Sequence, residues 1–348
     1  MEERAGTMHG TGTLHTAGTR IHYKRWLPDV VRDVIVVAHG LGEHSGRYRN
    51  LVDRFVPKGF AVYAPDHRGH GLSSGIRGHV ESFLQYRDDL ASFIDRVREE
   101  TGFEKVILVG HSMGGVIALS YSLLYPDRVS RLILSSPGLR PYKLPSRLKE
   151  TLAKVLARIA PTLLLSNELD PSHVSRDGGV VQTYMDDPLV HDRVSPRFYV
   201  EFVKETDRLL REAPGLAVPL LLLQAGEDRL VHVGTNLKFF SAAGSPRKDL
   251  KVYEGLYHEV FNEPERDRVF ADMEAWLGAA AQPAAGRPAT GRRAVGGPAR
   301  GNPPGSKKKP PGRARAESVV EKPGVKGKRK GTRPPVGKKA AGKKTRPS

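Results

Sequence analysis

The chain has 348 residues, no cysteine and a formal net charge of +18 at pH 7. Without cysteine it can form neither disulfides nor a thiolate metal site, and it cannot use a cysteine nucleophile. The N-terminus lacks a basic segment leading into an apolar one, and no later stretch approaches the roughly 18 apolar residues that span a bilayer. We therefore expect a soluble, cytoplasmic protein.

Apolar runs alternate with helical patterns along most of the chain. An initial hairpin is predicted over residues 12–26, and helices are predicted at 83–100 and 113–125. Six runs are predicted strands: VIVVAHG from Val34, FAVYAPD from Phe60, KVILVGHS from Lys105, RLILSSP from Arg131, PLLLLQAGED from Pro219 and DLKVYEG from Asp249. Most of these runs are continuously apolar, which is typical of parallel strands covered on both faces. The sequence therefore predicts an α/β fold with a doubly wound, mostly parallel sheet.

Two stretches fit the G-x-S-x-G pattern, in which a sharp strand-to-helix turn exposes a serine nucleophile. GHSMG at 110–114 follows a strong apolar strand and precedes a helix, whereas GLSSG at 71–75 lies in a loop rich in glycine and histidine. This context favours Ser112 over Ser73. The alternative for Ser112 is an ordinary helix N-cap.

Residues from 138 to about 214 interrupt the alternation, because they are helix-prone and contain no convincing strand. We predict an inserted helical cap over the carboxyl edge of the sheet, where such folds bind ligands. Within it, LPSRLKETLAKVLARIAPTLLL places five apolar side chains on one helical face: Leu148, Leu152, Val155, Leu156 and Ile159. Two interpretations fit this face, a peripheral contact with a membrane or lipid surface and simple packing onto the body of the protein.

A serine hydroxyl becomes a nucleophile when a histidine accepts its proton and a carboxylate orients that histidine. In this fold the chain order is serine, acid, histidine. His258 is the only histidine in a loop after the last predicted strand, so it is the predicted base. Asp228 ends the strongest late strand and is the predicted acid, with the adjacent Glu227 as the alternative.

The tetrahedral intermediate of ester cleavage needs two backbone N–H donors aimed at its oxyanion. Met113, directly after the nucleophile, supplies one of them. Leu41 in HGLGEH supplies the other, because the glycines at 40 and 42 allow a close approach. This chemistry uses no cofactor and no metal, and we expect none.

The C-terminal segment carries the positive charge. Residues 279–348 contain 20 of the 56 basic residues and only two of the 38 acidic ones, so residues 1–278 are neutral overall. The segment is rich in proline and glycine and poor in large apolar residues, so burial cannot offset the entropy cost of ordering it. We predict a disordered tail that binds polyanions such as nucleic acid non-specifically, or that only keeps the protein soluble.

Residues 10–278 resemble the monoacylglycerol lipase and lysophospholipase group of α/β-hydrolases. The blocks that carry the resemblance are HGLGEHSGRY, DHRGHGLSSG, YRDDL, GHSMGG, DPSHVSRD, YMDDPLV, LLLQAGEDRLV and YEGLYHEVFNE, in this order and including the cap. The resemblance implies the same triad and oxyanion hole, and it implies that Glu43, Arg47 and Tyr184 lie near the glycerol or head-group end of the substrate. Phe261 departs from the animal enzymes, which have a second histidine at that position.

These observations predict a cofactor-independent serine hydrolase domain at residues 1–278 that cleaves acyl esters, with a monoacylglycerol as the favoured substrate. A lysophospholipase or a broad carboxylesterase would use the same residues. An alternative of another class is a nucleic-acid-associated protein that acts through its basic tail, with the hydrolase body as a scaffold.

Overall fold

A computed structural model describes residues 7–16 and 18–279 of the chain. Within these ranges, ten strands form an eight-stranded sheet and a small two-stranded ribbon. The strands are β1 (Thr7–Thr16), β2 (Thr19–Pro28), β3 (Asp33–Ala38), β4 (Phe60–Pro65), β5 (Val106–His111), β6 (Val129–Ser135), β7 (Leu165–Ser166), β8 (Arg193–Val194), β9 (Leu220–Ala225) and β10 (Lys248–Tyr253). All six strands predicted from apolar runs are present.

The large sheet has the strand order β1-β2-β4-β3-β5-β6-β9-β10. Strand β2 is antiparallel to both of its neighbours, and every other adjacent pair is parallel. The predicted α/β fold with a doubly wound, mostly parallel sheet is therefore confirmed. The initial hairpin is longer than predicted, because β1 is a largely exposed edge strand of small and polar residues that leaves little apolar signal.

Eight α-helices accompany the sheet in the described part of the chain. They are α1 (Arg49–Phe55), α2 (Leu84–Thr101), α3 (Met113–Leu124), α4 (Arg147–Ile159), α5 (Gly178–Asp186), α6 (Pro196–Glu212), α7 (Val233–Ala242) and α8 (Arg266–Ala279). Helices α2 and α3 agree with the predicted helices. The sheet separates two apolar cores, one with α2 and α3 and the other with α1 and α8. The predicted tail at 279–348 lies outside the described residues, apart from Ala279, which ends α8.

The chain between β6 and β9 holds α4, α5, α6 and the antiparallel ribbon of β7 and β8. The expectation that this interval has no strand was wrong for the ribbon, because two-residue strands leave no periodicity to detect. Helix α4 begins at an N-cap in which the Ser146 hydroxyl accepts a hydrogen bond from the Lys149 N–H. No helix in the described ranges combines the length and the apolar character needed to cross a membrane.

Most of the apolar face of α4 is exposed. The exposed fractions are 79% for Leu148, 54% for Leu152, 49% for Val155 and 73% for Ile159, while Leu156 is half-buried. These four exposed residues are called the apolar cap face below. They do not pack onto the body of the protein, so the simpler of the two interpretations of this helix does not account for them.

Candidate active site

Ser112 lies between the end of β5 and the first residue of α3, with φ 52° and ψ −119°. A left-handed φ is strained for a residue with a side chain, and tight neighbours hold it in place. A Cβ on Gly114 would lie 2.0 Å from the carbonyl oxygen of Ala38, and one on Gly110 would lie 2.5 Å from the carbonyl oxygen of Gly114. Only glycine fits at these two positions, so the G-x-S-x-G pattern here encodes a tightly packed strand-to-helix turn.

Ser73, which fits the same pattern, lies in a different environment. Its side chain is buried, its hydroxyl donates to the carbonyl of Asp66 at 2.6 Å, and it accepts a hydrogen bond from the N–H of His22 at 2.9 Å. These bonds join the loop after β4 to strand β2. The Ser73 hydroxyl therefore serves a structural purpose.

The fold brings Asp228 and His258 into direct contact. His258 Nδ1 and Asp228 Oδ2 are 2.8 Å apart, and both side chains are buried. The other carboxylate oxygen of Asp228 accepts hydrogen bonds from the N–H groups of Leu230 and Val231, each at 2.9 Å. The adjacent Glu227 is exposed. Asp228 is thus held by three donors, and its orientation fixes the histidine ring.

The electrostatics of this pair favour charge separation. Burial alone would raise the pKa of Asp228, but the positive charge of His258 and the hydrogen bonds to the carboxylate lower it overall. Burial would lower the pKa of His258, but Asp228 raises it above its ordinary value. The carboxylate therefore stays ionised and stabilises an imidazolium on His258.

Ser112 and His258 line a cavity of about 290 Å³. Segments of the chain between β6 and β9 supply most of its wall, including the apolar residues Leu169, Pro171, Val174, Met185 and Val190. The described lining also contains four acidic residues and neither lysine nor arginine; the acidic residues are Glu43, Asp170, Asp192 and Glu259. The cavity is large enough for a small ligand and is mixed in polarity.

The loop after β3 approaches the serine closely. A Cβ on Gly40 would lie 3.3 Å from the Cβ of Ser112 and 2.8 Å from Glu43 Oε1. Within the described ranges, the N–H groups of Leu41 and Met113 donate to no other group. Leu41 lines the cavity, and Met113 is the first residue of α3, where helical N–H groups have no partner in the helix. Both donors are free to bind an oxyanion.

Glu43, Arg47 and Tyr184 form one cluster. Glu43 accepts hydrogen bonds from the Gly40 N–H at 2.6 Å, the Tyr48 hydroxyl at 2.8 Å and the Arg47 guanidinium at 3.0 Å. The Arg47 Cζ lies 4.6 Å from the centre of the Tyr184 ring. Burial alone would raise the pKa of Glu43, but Arg47 lowers it to about 2. Glu43 and Tyr184 line the cavity, whereas Arg47 lies behind them.

The sequence analysis did not identify most of the cavity wall, including two titratable residues beside the proposed triad, His111 and Glu259. The ring of His111 lies 4.7 Å from that of His258, and burial lowers the pKa of His111 to about 4, so it is neutral. Glu259 pairs with Arg47, a residue distant in the chain. The one sequence feature that could have identified them is adjacency, because His111 directly precedes Ser112 and Glu259 directly follows His258. No cluster of three metal-binding side chains occurs in residues 7–16 and 18–279.

Comparisons with known proteins agree with this architecture. The family described as Serine aminopeptidase, S33 (Hydrolase_4) matches residues 29–265. The chain is 38% identical to a monoacylglycerol lipase of Mycolicibacterium smegmatis over 75% of this chain and 93% of that protein. It is 36% identical to phospholipase YtpA of Bacillus subtilis over 72% of this chain and 97% of that protein.

A solved structure gives the same result. The crystal structure of the Paleococcus ferrophilus monoacylglycerol lipase superposes with a TM-score of 0.69 at 35% sequence identity, covering 74% of this chain and 98% of that one. The match extends beyond the sheet, because it includes nearly the whole of the other chain. The protein therefore belongs to the serine aminopeptidase S33 family of α/β-hydrolases.

Proposed function

We propose that this ester hydrolase cleaves monoacylglycerols through an acyl-enzyme on Ser112, with His258 as the base and Asp228 as the acid of the triad. One observation carries the proposal. The Asp228–His258 pair, joined at 2.8 Å, adjoins the cavity that Ser112 also lines, beside a loop in which the Leu41 N–H donates to no other described group. Nucleophile, base, acid and oxyanion donors are thus available to one bound ester.

The proposed reaction follows from these positions. His258 accepts the proton of the Ser112 hydroxyl as the oxygen attacks the ester carbonyl. The N–H groups of Leu41 and Met113 stabilise the negative charge that develops on the carbonyl oxygen. His258 then returns the proton to the departing alcohol, and a water molecule activated by the same histidine releases the fatty acid. Asp228 remains ionised and stabilises the imidazolium.

The charges of the cavity favour glycerol over a phospholipid head group. Its described lining carries four carboxylates and no lysine or arginine, and Arg47, which lies behind the lining, is already paired with Glu43 and Glu259. A phosphodiester would therefore be desolvated without a positive partner, which is costly. The glycerol head group carries no charge, so its burial requires no positive partner. We place the glycerol end near Glu43 and Tyr184, with Arg47 supporting both.

The apolar cap face supports a peripheral contact with lipid. It is a contiguous exposed apolar strip on a helix whose other positions carry Arg147, Lys149, Lys154 and Arg158. Helices with an apolar face and basic flanks lie in the interface of a membrane. In this proposal the inserted cap, residues 138 to about 214, rests on the lipid aggregate that supplies the substrate.

The basic tail supports a second, separate proposal from its composition alone. Its lysines and arginines are strung along proline and glycine, and such chains bind DNA, RNA or anionic lipid by releasing counterions. Catalysis does not require this role. In this second proposal the protein is both a hydrolase and a polyanion binder.

A matched substrate panel tests the proposed substrate. The purified protein is assayed on 1-oleoylglycerol and on 1-oleoyl lysophosphatidylglycerol, which share the acyl chain and differ by an anionic phosphodiester in the head group. We expect kcat/KM to be at least about tenfold higher for the monoacylglycerol, since an unpaired buried charge costs more than about 1.4 kcal/mol. An equal or higher kcat/KM on the lysophospholipid would instead support lysophospholipase activity. The Bacillus subtilis relative is named a phospholipase.

A further inference from the structure

Glu259, the residue after His258, is held by a buried ion pair. Its two carboxylate oxygens accept hydrogen bonds from the two terminal nitrogens of Arg47 at 2.5 and 2.8 Å, and Asn262 donates a third at 2.9 Å. The side chains of Arg47 and Glu259 are 9% and 6% exposed. This is a bidentate, desolvated pair, so its geometry is rigid.

The same guanidinium reaches the loop that carries a proposed oxyanion donor. Arg47 Nη1 also donates to Glu43 at 3.0 Å, and Glu43 accepts the N–H of Gly40 at 2.6 Å. Gly40 directly precedes Leu41. Arg47 therefore links the His258 loop and the Leu41 loop, which are more than 200 residues apart in the sequence.

The chain between β6 and β9 also contacts the Arg47–Glu259 pair. The N–H of Glu259 donates to the carbonyl of Val174 at 2.8 Å, and the Tyr184 ring covers the Arg47 guanidinium. Each of the three parts of the site, the two loops and the cap, thus has a direct contact with the Arg47–Glu259 pair. A buried ion pair contributes little net stability compared with apolar packing, so a purely structural role is a poor explanation for it.

We propose that Arg47 and Glu259 are positioning residues, which fix the His258 loop against the oxyanion loop and set the local charge around the imidazole. The inference rests on the proposed roles of Ser112 and His258. It assigns Arg47 to the support of the two loops and not to the head group of the substrate, because the guanidinium has no free face on the cavity.

The charge balance predicts opposite effects for the two partners. Glu43, Arg47 and Glu259 together carry one net negative charge. Replacing Glu259 with glutamine leaves the three positions with no net charge. Replacing Arg47 with methionine leaves them with two net negative charges. The other titratable groups that face His258 stay the same in both variants: Asp228 and His111 from the body, and Asp170, His191 and Asp192 from the cap side of the cavity.

The direction follows from the contacts of His258. Burial lowers its pKa, Asp228 raises it, and the charges of Glu259 and Glu43 raise it further. Only neutral His258 can accept the serine proton, so the acidic limb of the rate profile follows its pKa in the free enzyme. Removing a negative charge moves that limb to lower pH, and removing the positive charge moves it to higher pH.

The test measures the rate at which a fluorophosphonate labels Ser112 between about pH 5 and pH 9. For Glu259→Gln we expect the acidic limb of the pH–rate profile to move to lower pH. For Arg47→Met we expect it to move to higher pH, each shift being on the order of half a pH unit. The plateau rate of Arg47→Met should also fall at least about tenfold, because the two loops lose their common partner. In Arg47→Lys the limb should return towards the wild-type position, while the plateau rate stays low, since lysine lacks the forked geometry.

Arg54→Met is the matched control. It removes a bidentate arginine–glutamate pair, that of Arg54 with Glu274, from helix α1, which begins just after Arg47, and this pair lies away from the cavity. We expect wild-type labelling and an unshifted limb. Thermal unfolding of every variant shows whether it is folded, and Glu259→Gln, which keeps the shape of the side chain, remains informative if Arg47→Met unfolds.

Steady-state kinetics separate positioning from substrate contact. On 1-butyrylglycerol and ethyl butyrate, positioning predicts that Arg47→Met lowers kcat by the same factor for both esters. A rise in KM confined to the glycerol ester would overturn the proposal, as would limbs that do not move or that move in the same direction. Absence of label on Ser112 in the wild-type protein would overturn the proposed function and this inference together.

Discussion

The sheet and helix α4 use apolar residues in opposite ways. All six residues of β5 are buried, and the strand ends at the backbone turn that presents Ser112. Helix α4 instead exposes half or more of the side chains of Leu148, Leu152 and Ile159. Burial in the sheet fixes positions, which catalysis needs, whereas a contiguous exposed apolar strip marks a surface that meets another apolar surface. This contrast supports the proposal that the body performs the chemistry and the cap meets the lipid.

The largest effect should come from the acid of the triad. Asp228→Asn keeps the shape of the side chain but removes the charge that stabilises the imidazolium, and we expect kcat to fall by about 10⁴. Glu227→Gln, the matched control on the adjacent exposed residue, should change kcat less than about twofold. Steady-state assays on a soluble short-chain ester measure both. If Glu227→Gln caused the larger loss, the acid would have been misassigned.

The second prediction compares the two regions through stability. Leu108 is fully buried in β5, so Leu108→Ala should lower the free energy of unfolding by about 2–5 kcal/mol. Leu152→Ala on α4 should change it by less than about 0.5 kcal/mol, because the side chain is exposed. Denaturant unfolding of both variants measures the difference. Similar losses in the two would show that the apolar cap face is packed in solution.

The third prediction concerns the substrate surface. Replacing Leu148 and Leu152 with serine should reduce hydrolysis of monoacylglycerol in vesicles about three- to tenfold, since each loses apolar area that would enter the lipid interface. Turnover of a soluble short-chain ester should stay the same. Leu124→Ser, an exposed apolar residue of α3, serves as the control and should affect neither assay. Equal losses on vesicles and on the soluble ester would contradict a lipid-binding role.

The smallest effect on catalysis should follow removal of the tail. A chain ending at Ala279 keeps every proposed site residue and should turn over a soluble ester within about twofold of the full chain. Its binding to DNA should be lost, whereas binding by the full chain should weaken steeply as salt rises. A mobility-shift titration at low and physiological salt measures this. Sequence-selective binding that is insensitive to salt would refute a purely electrostatic tail.

The sequence predicted the sheet and the three residues of the proposed triad for one physical reason. Parallel strands buried on both faces leave continuous apolar runs, and their carboxyl ends meet at one edge. Ser112 and Asp228 follow such runs, the buried strands β5 and β9. His258 follows β10, an edge strand with an alternating pattern, so its assignment came from chain order after the last strand. The hydrogen bond between Asp228 and His258 has the geometry that this grouping requires.

Other features left no local signal in the sequence. The Arg47–Glu259 pair joins residues 212 positions apart in the sequence, and neither has a neighbour pattern that identifies its partner. The periodicity of α4 revealed an apolar face but could not say what covers it. Exposure of a face is a property of the whole fold, because it depends on which other surfaces are already paired.

Labelling by a fluorophosphonate, followed by mapping of the modified peptide, tests the central claim most directly. The probe reacts with a serine only when an adjacent histidine activates it. We expect label on Ser112, no label and no ester turnover in a folded Ser112→Ala variant, and wild-type labelling in Ser73→Ala. Label on Ser73, or undiminished turnover by Ser112→Ala, would contradict the assignment of Ser112 as the nucleophile.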